Sequence, residues 1–182
     1  LQARNLAVIL LRRLGRGEEA EQLLTASLAV DPLDLWARQL RGDLVGGHGQ
    51  LEAQALLDVA IENARAGEVA TAVQLCERAR EADASRPLGQ TACAILADYL
   101  AAAILERAGR VADAAGLRER ARGGERTWNF ASRLDEVDAL DSALVADPHD
   151  ATAAALLGHW LYANGRGADA IALWRRSAQL DP

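Results

Sequence analysis

The sequence predicts an all-α superhelix of about ten antiparallel helices, and three observations support that prediction. The 182 residues are 51% hydrophobic but only 4% aromatic, and the apolar share is mostly alanine and leucine, which are strong helix formers. One stretch occurs twice, as GRGEEAEQLLTASLAVDP at 15–32 and as GRGADAIALWRRSAQLDP at 165–182. Glycine or Asp-Pro separates most of the helical segments, and no strand pattern competes with them.

Small residues recur in step with four glycines. The glycines are Gly15, Gly67, Gly109 and Gly165. An alanine follows each glycine five positions later, as Ala20, Ala72, Ala114 and Ala170. Another small residue follows twelve positions later, as Ser27, Ala79, Ala121 and Ser177. Two antiparallel helices approach closely only where facing side chains are small, and glycine ends a helix by accepting a left-handed conformation. The columns therefore predict tightly packed helical hairpins.

The helices follow from these separators in chain order. We expect them near 2–14, 18–30, 34–45, 51–66, 69–83, 87–108, 111–122, 133–146, 150–164 and 167–180. Gly15, Gly67, Gly109 and Gly165 each separate the two helices of a hairpin. Asp-Pro ends the second, eighth and tenth helices, because the residue before proline disfavours the α region. The third helix runs into GGHG at 46–49, which lacks the following Lys-Ser or Lys-Thr of a phosphate loop and reads as a turn carrying His48.

This pattern resembles the tetratricopeptide repeat, a helix-turn-helix unit of about 34 residues. Repeats 1–34 and 151–182 fit the family register closely, whereas 53–86 and 95–126 match in their glycine and alanine columns but lack the terminal proline. Residues 35–50 and 132–150 read as half-repeats. We expect one repeat domain over 1–182, cut from a longer chain.

The resemblance implies a concave groove lined by the first helix of each hairpin. Its register places sixteen residues there: Gln2, Asn5, Ile9, Arg12, Gln54, Leu57, Ile61, Ala64, Leu96, Tyr99, Ala103, Glu106, Thr152, Ala155, His159 and Tyr162. The nine that we expect to bind are Asn5, Ile9, Arg12, Leu57, Ile61, Tyr99, Glu106, His159 and Tyr162. The family's clamp for a peptide carboxylate is not expected, because Ile9 replaces an asparagine and the chain has no lysine. The implied partner is a protein, a peptide or a neighbouring domain of the parent chain.

Two aromatic groups allow alternative interpretations. His159, Trp160 and Tyr162 could form a pocket for a peptide or a sugar, or they could be ordinary helix packing. Trp128 and Phe130 lie in the insert GGERTWNFAS, where they could anchor a partner or fill a gap between misfitting repeats.

Charge and composition exclude several functions. A net charge of −6 argues against nucleic acid as a partner, because binding to phosphates needs a basic face. Five arginines lie close together in the sequence around the insert, and they could either bind an acidic partner or form a solvated, self-paired surface: Arg118, Arg120, Arg122, Arg126 and Arg133.

No run of the sequence is apolar for long enough to span a membrane, and no signal pattern appears, so we expect a cytoplasmic protein.

The sequence predicts no enzyme, no cofactor and no metal site. No short catalytic motif appears, and Asp135 and Glu136 are adjacent on a helix and so point in different directions. Cys76 and Cys93 lack metal-ligand spacing and read as two reduced core thiols, with a disulfide between neighbouring helices as the alternative.

The leading hypothesis is therefore a non-catalytic scaffold. The alternative is a helical accessory tail of a large bacterial multidomain enzyme that also carries a β-rich, carbohydrate-type module. It rests on the junction WNFASRLDEVDAL, which resembles the C-terminal repeat arrays of such proteins. In either case the last helix exposes Ile171, Trp174 and Ala178. We expect more native sequence, or another chain, to cover that face.

Overall fold

The computed structural model describes residues 2–44, 52–84 and 90–181, and the predicted GGHG turn with His48 lies outside them. Ten helices occur in these ranges: α1 Gln2–Arg13, α2 Gly17–Val30, α3 Leu35–Arg41, α4 Ala53–Arg65, α5 Val69–Asp83, α6 Ala94–Arg107, α7 Val111–Arg122, α8 Leu134–Ala146, α9 Ala151–Ala163 and α10 Gly167–Leu180. The described residues contain no strand, and their one extended pairing is an isolated bridge between Ala92 and Asn129. The fold is an all-α superhelix of repeat hairpins, as predicted.

Glycine separates the two helices in each of four hairpins. Gly15, Gly67, Gly109 and Gly165 adopt φ angles of 73°, 79°, 78° and 77°, the left-handed region in which a side chain is strained. These glycines stand between α1 and α2, α4 and α5, α6 and α7, and α9 and α10. The predicted role of the glycine column is confirmed.

Aspartate ends three helices, as the Asp-Pro pairs predict. Asp31, Asp147 and Asp181 are the C-caps of α2, α8 and α10, and each donates its backbone N–H to the carbonyl four residues earlier. Their φ and ψ angles leave the helical region. The residue before proline disfavours that region, so each helix stops at the aspartate.

Both small-residue columns lie in the core. Ala20, Ala72, Ala114 and Ala170 have no exposed surface. Ser27, Ala79 and Ala121 are equally buried, and Ser177 is 6% exposed. The prediction of close hairpin packing through methyl-sized groups is therefore confirmed.

Two helices are shorter than predicted. α6 begins at Ala94 rather than near residue 87, because the carboxylate of Asp83 accepts the backbone N–H groups of Cys93 (3.1 Å) and Ala94 (3.3 Å) and so caps the helix there. Just before this cap, the N–H of Ala92 is bound to the carbonyl of Trp128 at 2.8 Å. α3 ends at Arg41 because Gly42 adopts a φ of 85°.

The two cysteines are free, buried thiols, as predicted. Burial raises the pKa of Cys93 to about 12 and raises that of Cys76 further. Both groups therefore stay protonated and unreactive near neutral pH.

α6 lies at the centre of the molecule. Its eleven consecutive residues 95–105 are all buried, because three helices surround it. Leu100 and Ile104 pack in the core of α4 and α5, whereas Ala102 and Leu105 pack with Ala114 of α7. The remaining side of α6 faces α8.

The two half-repeats complete the stack. α3 packs between α2 and α4, and α8 packs on α6 and α9. Val137, Leu140 and Ala143 of α8 share a core cluster with Leu96 and Tyr99 of α6. The eighth helix therefore covers the side of α6 that the repeat register assigns to the groove.

Candidate functional site

The groove positions of α6 are occupied by the chain itself. Tyr99 is 1% exposed, and its hydroxyl donates to both carboxylate oxygens of buried Asp150, at 2.8 and 2.9 Å. Burial and this carboxylate raise the pKa of Tyr99. Glu106 accepts hydrogen bonds from Ser142 of α8 and Arg118 of α7, which lower its pKa. Tyr99 therefore serves tertiary packing, whereas Glu106, whose side chain is 29% exposed, is held between α7 and α8.

Two groove positions of α4, Leu57 and Ile61, are apolar and buried. Leu57 is fully buried and Ile61 is 6% exposed, so Leu57 belongs to the core rather than to a binding surface. Ile61 also packs in the core, but its side chain reaches the wall of a cleft described below.

The groove positions of α1 differ from one another. Ile9 is 3% exposed and packs in the core. Arg12 is exposed, donates to the carbonyl of Leu40 at 2.9 Å and pairs with Glu21. Asn5 is 1% exposed and lines the same cleft as Ile61.

The aromatic residues near the C-terminal hairpin form one cluster. The His159 ring lies 5.7 Å from Phe130 and 5.6 Å from Trp174, and Tyr162 lies 5.5 Å from Trp174. Burial lowers the pKa of His159, and within the described part of the chain its Nδ1 has no hydrogen-bond partner. These contacts resemble helix packing more than an open pocket, although Tyr162 remains 64% exposed.

The insert before α8 leaves its aromatic rings half exposed. Phe130 is 45% exposed despite its contact with His159, and Trp128 is 50% exposed at a φ of 64°. The backbone of Trp128 accepts the N–H of Ala92, which fixes the insert to the start of α6. The insert thus joins two elements and keeps both rings at the surface.

The arginine cluster is self-paired. Arg118 pairs with Glu106, Arg120 with Glu77 and Asp98, Arg122 with Glu119 and Asp147, Arg126 with Asp181, and Arg133 with Asp58 and Glu136. Each guanidinium group already has a carboxylate partner. The arrangement matches the solvated, self-paired alternative and leaves no free basic receptor in this region.

An open cleft of about 560 Å³ lies between α1, α3, α4 and the start of α8. Its walls are formed by Gln2, Asn5, Asp31, Asp34, Leu35, Trp36, Asp58, Val59, Ile61, Glu62, Arg65, Arg133 and Asp135. This volume falls within the range of about 300–1,000 Å³ that is typical of ligand pockets. Asn5 and Ile61 are the two predicted binding residues that the structure brings together here.

The floor of the cleft combines apolar and polar atoms. Trp36 is 7% exposed and Val59 is 4% exposed. The amide of Asn5 donates to Asp34 at 2.9 Å, while Asp34 also accepts the backbone N–H of Ala37 at 3.0 Å and so caps α3. Trp36 Nε1 and Asn5 Oδ1 have no hydrogen-bond partner among the described residues. Buried polar atoms without partners are rare in folded proteins, and here two of them belong to residues that line one cleft, with both atoms closed to solvent.

The start of α8 closes one side of the cleft. Arg133 contacts α4 by pairing with Asp58 at 2.6 Å and donating to the carbonyl of Gln54 at 2.8 Å. Arg65 of α4 pairs with Asp135 of α8 at 2.8 Å. These contacts join residues about 70 positions apart and hold the wall in place.

Sequence reasoning missed most of this site. Asp31, Asp34 and Trp36 belong to the half-repeat, whose first helix has no partner helix of its own in the register. The absence of a second helix in this half-repeat was the sequence signal that could have predicted the cleft. α3 stacks beside α1 and α4 without a second helix of its own, and this leaves space beside them. The contribution of Arg133 and Asp135 had no local signal.

Other classes of site find little support in the described ranges. There, no group of three or more His, Cys, Asp or Glu side chains is placed to hold a metal ion. Among the helices described, none combines the length and apolarity needed to cross a bilayer.

No protein-family model matches the chain, and no curated protein matches it either. Among solved structures, the crystal structure of MamA is similar to 94% of this chain and 92% of its own, at 13% identity and a TM-score of 0.34. A TM-score this low supports no argument about fold or function. The fold therefore stands on the helices and their packing.

Proposed function

We propose that the chain is a non-catalytic scaffold that binds a polypeptide, either a peptide or another domain of its parent protein, in the cleft between α1, α3, α4 and α8. The observation that carries this proposal is the cleft itself, with an apolar floor and walls set by α1, α3, α4 and the start of α8. A preformed site binds an extended segment at little entropic cost to the protein.

The proposed groove is narrower than the repeat register implies. Asn5 and Ile61 remain proposed binding residues, because they line the cleft. Leu57, Tyr99 and Glu106 do not line it. Arg12, His159 and Tyr162 lie outside its walls, as do Trp128 and Phe130.

Peptides selected from a random twelve-residue library test the proposal. We expect a selected peptide to shift the indole N–H resonance of Trp36 and the amides of α1, α3 and α4, while the indole of Trp174 stays unshifted. Peptides that perturb only other surfaces, or a library that returns no binder, would contradict the proposal.

A matched pair of variants locates the binding. Gln2 is exposed at the mouth of the cleft, so Gln2→Trp should block the entrance and weaken binding at least about tenfold, or about 1.4 kcal/mol. Gln22 is equally exposed on α2 but lies outside the cleft, so Gln22→Trp should leave the affinity unchanged.

A second proposed contact is self-association through α10. Ile171 of that helix is 46% exposed, and Trp174 is half-buried beside it. This apolar face suits a second copy of the chain, as it suits further sequence of the parent protein.

The alternative of a carbohydrate-linked tail rests on the junction alone, and no geometry of the described residues favours it. The cytoplasmic location also stays a prediction from the sequence.

A further inference from the structure

The charges of the residues that line the cleft indicate which kind of polypeptide it binds. Five carboxylates line it, from Asp31, Asp34, Asp58, Glu62 and Asp135, against two guanidinium groups, from Arg65 and Arg133. Both guanidinium groups are already shared. Arg65 pairs with Glu62 and Asp135, and Arg133 pairs with Asp58 and the buried Glu136.

Two of the carboxylates are left without a cation. Neither Asp31 nor Asp34 forms an ion pair with any basic side chain of the described residues. Asp31 accepts the N–H of Leu33 at 2.9 Å, and Asp34 accepts hydrogen bonds from Ala37 and Asn5. An ionised carboxylate accepts up to about four hydrogen bonds, so both groups retain capacity for a donor from a ligand.

The floor beside these carboxylates supplies a second, independent observation. Asn5 and Trp36 are each more than nine-tenths buried, both line the cleft, and each carries an unpartnered polar atom. Asn5 Oδ1 can only accept and Trp36 Nε1 can only donate, and both atoms are buried beneath the surface of the cleft.

We infer that the cleft binds a basic polypeptide segment, with an arginine or lysine side chain at Asp31 and Asp34 and an apolar side chain against Trp36. This inference rests on the proposed function and names the partner's chemistry. Arginine fits best, because its planar guanidinium group presents five N–H donors in a fork that matches carboxylates. An acidic segment is repelled by the same walls.

The experiment uses the same twelve-residue library and the intact chain. Peptides selected on the wild type should be enriched in arginine and lysine beside apolar residues. Replacing their basic residues with glutamine should weaken binding about tenfold at low salt, and added salt should reduce that difference.

A double variant tests the two aspartates without removing the helix cap. Asparagine caps helices as well as aspartate does, so Asp31→Asn with Asp34→Asn keeps α3 intact while removing two charges. We expect it to bind the basic peptide about tenfold more weakly and the glutamine peptide unchanged. Asp113→Asn with Asp169→Asn removes two charges from exposed helix starts elsewhere and should leave both affinities unchanged.

The outcomes separate this inference from the proposed function. Selected peptides that shift the Trp36 indole but show no enrichment in basic residues overturn the inference and leave the proposed function standing. The same holds if the double variant binds the basic peptide as tightly as the wild type. Peptides that never shift the cleft resonances overturn both.

Discussion

At the scale of single residues, the lack of a side chain at Gly158 of α9 lets Trp174 of α10 pack closely against it. A Cβ added to Gly158 would lie 2.6 Å from Nε1 and 2.7 Å from Cδ1 of that indole. The indole N–H in turn donates to the carbonyl of Ala155 at 3.3 Å. The ring therefore fills the space that the absent side chain leaves.

Two glycine substitutions in helices should change stability in opposite directions. Gly158→Ala gains helix propensity but displaces Trp174, and overpacking costs about 1–3 kcal/mol, so we expect a net loss of about 1 kcal/mol. Gly116 of α7 has nothing within 4 Å of an added Cβ, so Gly116→Ala should stabilise the fold by about 0.5–1 kcal/mol. Urea unfolding measures both, and an equal gain from the two would contradict the packing argument.

His159 should make stability depend on pH. Burial lowers its pKa, so between that value and about 6.5 the unfolded chain binds a proton that the folded chain does not. Stability from this residue is complete above about pH 6.5 and is lost as the pH falls through that window. We expect the His159→Phe variant to lose less unfolding free energy than the wild type when the pH falls from 7 to 5. Urea unfolding at each pH measures that free energy.

Tyr162→Phe provides the packing control for that experiment. It alters the same ring cluster without removing an imidazole, so it should keep the wild-type pH profile. If His159→Phe also kept that profile, the imidazole would have no part in it.

At the scale of elements, α8 separates this molecule from a regular array. It packs on the groove side of α6, and Arg133 and Glu136 secure its start. Glu136 is 1% exposed and accepts the backbone N–H groups of Ser132 (2.8 Å) and Arg133 (3.0 Å). α8 is thus part of the core around α6 of the third hairpin. Its start is also a wall of the cleft beside α4 of the second hairpin.

Truncation of the buried face of α8 should destabilise the whole fold. Leu140 is fully buried in the cluster with α6 and α9, so Leu140→Ala should cost about 2–5 kcal/mol of unfolding free energy. Val145 is 85% exposed on the same helix, and Val145→Ala should change stability by less than about 0.5 kcal/mol. Thermal or urea unfolding compares them. A small loss at Leu140 would mean that α8 is docked only loosely.

At the scale of the whole molecule, the outermost helices expose positions that are buried inside the stack. Leu100 and Ile104 of α6 pack against the preceding hairpin, whereas the equivalent Leu6 and Leu10 of α1 are 40% and 47% exposed. At the other end, Val73 of α5 packs in the core, whereas its equivalent Ile171 of α10 is 46% exposed. Each outermost helix therefore exposes apolar side chains at positions where an inner helix packs against its neighbour.

The proposed self-association through α10 can be measured. Ile171→Glu places a charge on the exposed stacking surface, so we expect it to raise the dimer dissociation constant at least about tenfold in sedimentation equilibrium. Val145→Glu adds the same charge at a more exposed apolar site on α8 and should leave association unchanged. A wild type that stays monomeric at high concentration would contradict the proposed contact.

Much of the candidate site was beyond prediction from the sequence. The repeat register identified Asn5 and Ile61, because first-helix positions recur at fixed spacing. It also assigned Tyr99 to the groove, where the structure shows a buried hydrogen bond to Asp150 instead. The register describes a regular stack, and α8 interrupts that regularity.

The amino-acid sequence by itself determined the hairpins. Three features do this: the left-handed glycines, the alanine columns and the Asp-Pro pairs that end helices. Each acts on neighbouring residues or on the partner helix of one hairpin, so its effect can be predicted from a short stretch of sequence. Only the tertiary structure decided where the groove is covered and where it stays open. That choice depends on contacts such as Arg133 with Asp58, 75 residues apart, and no periodicity in the chain encodes such a pair.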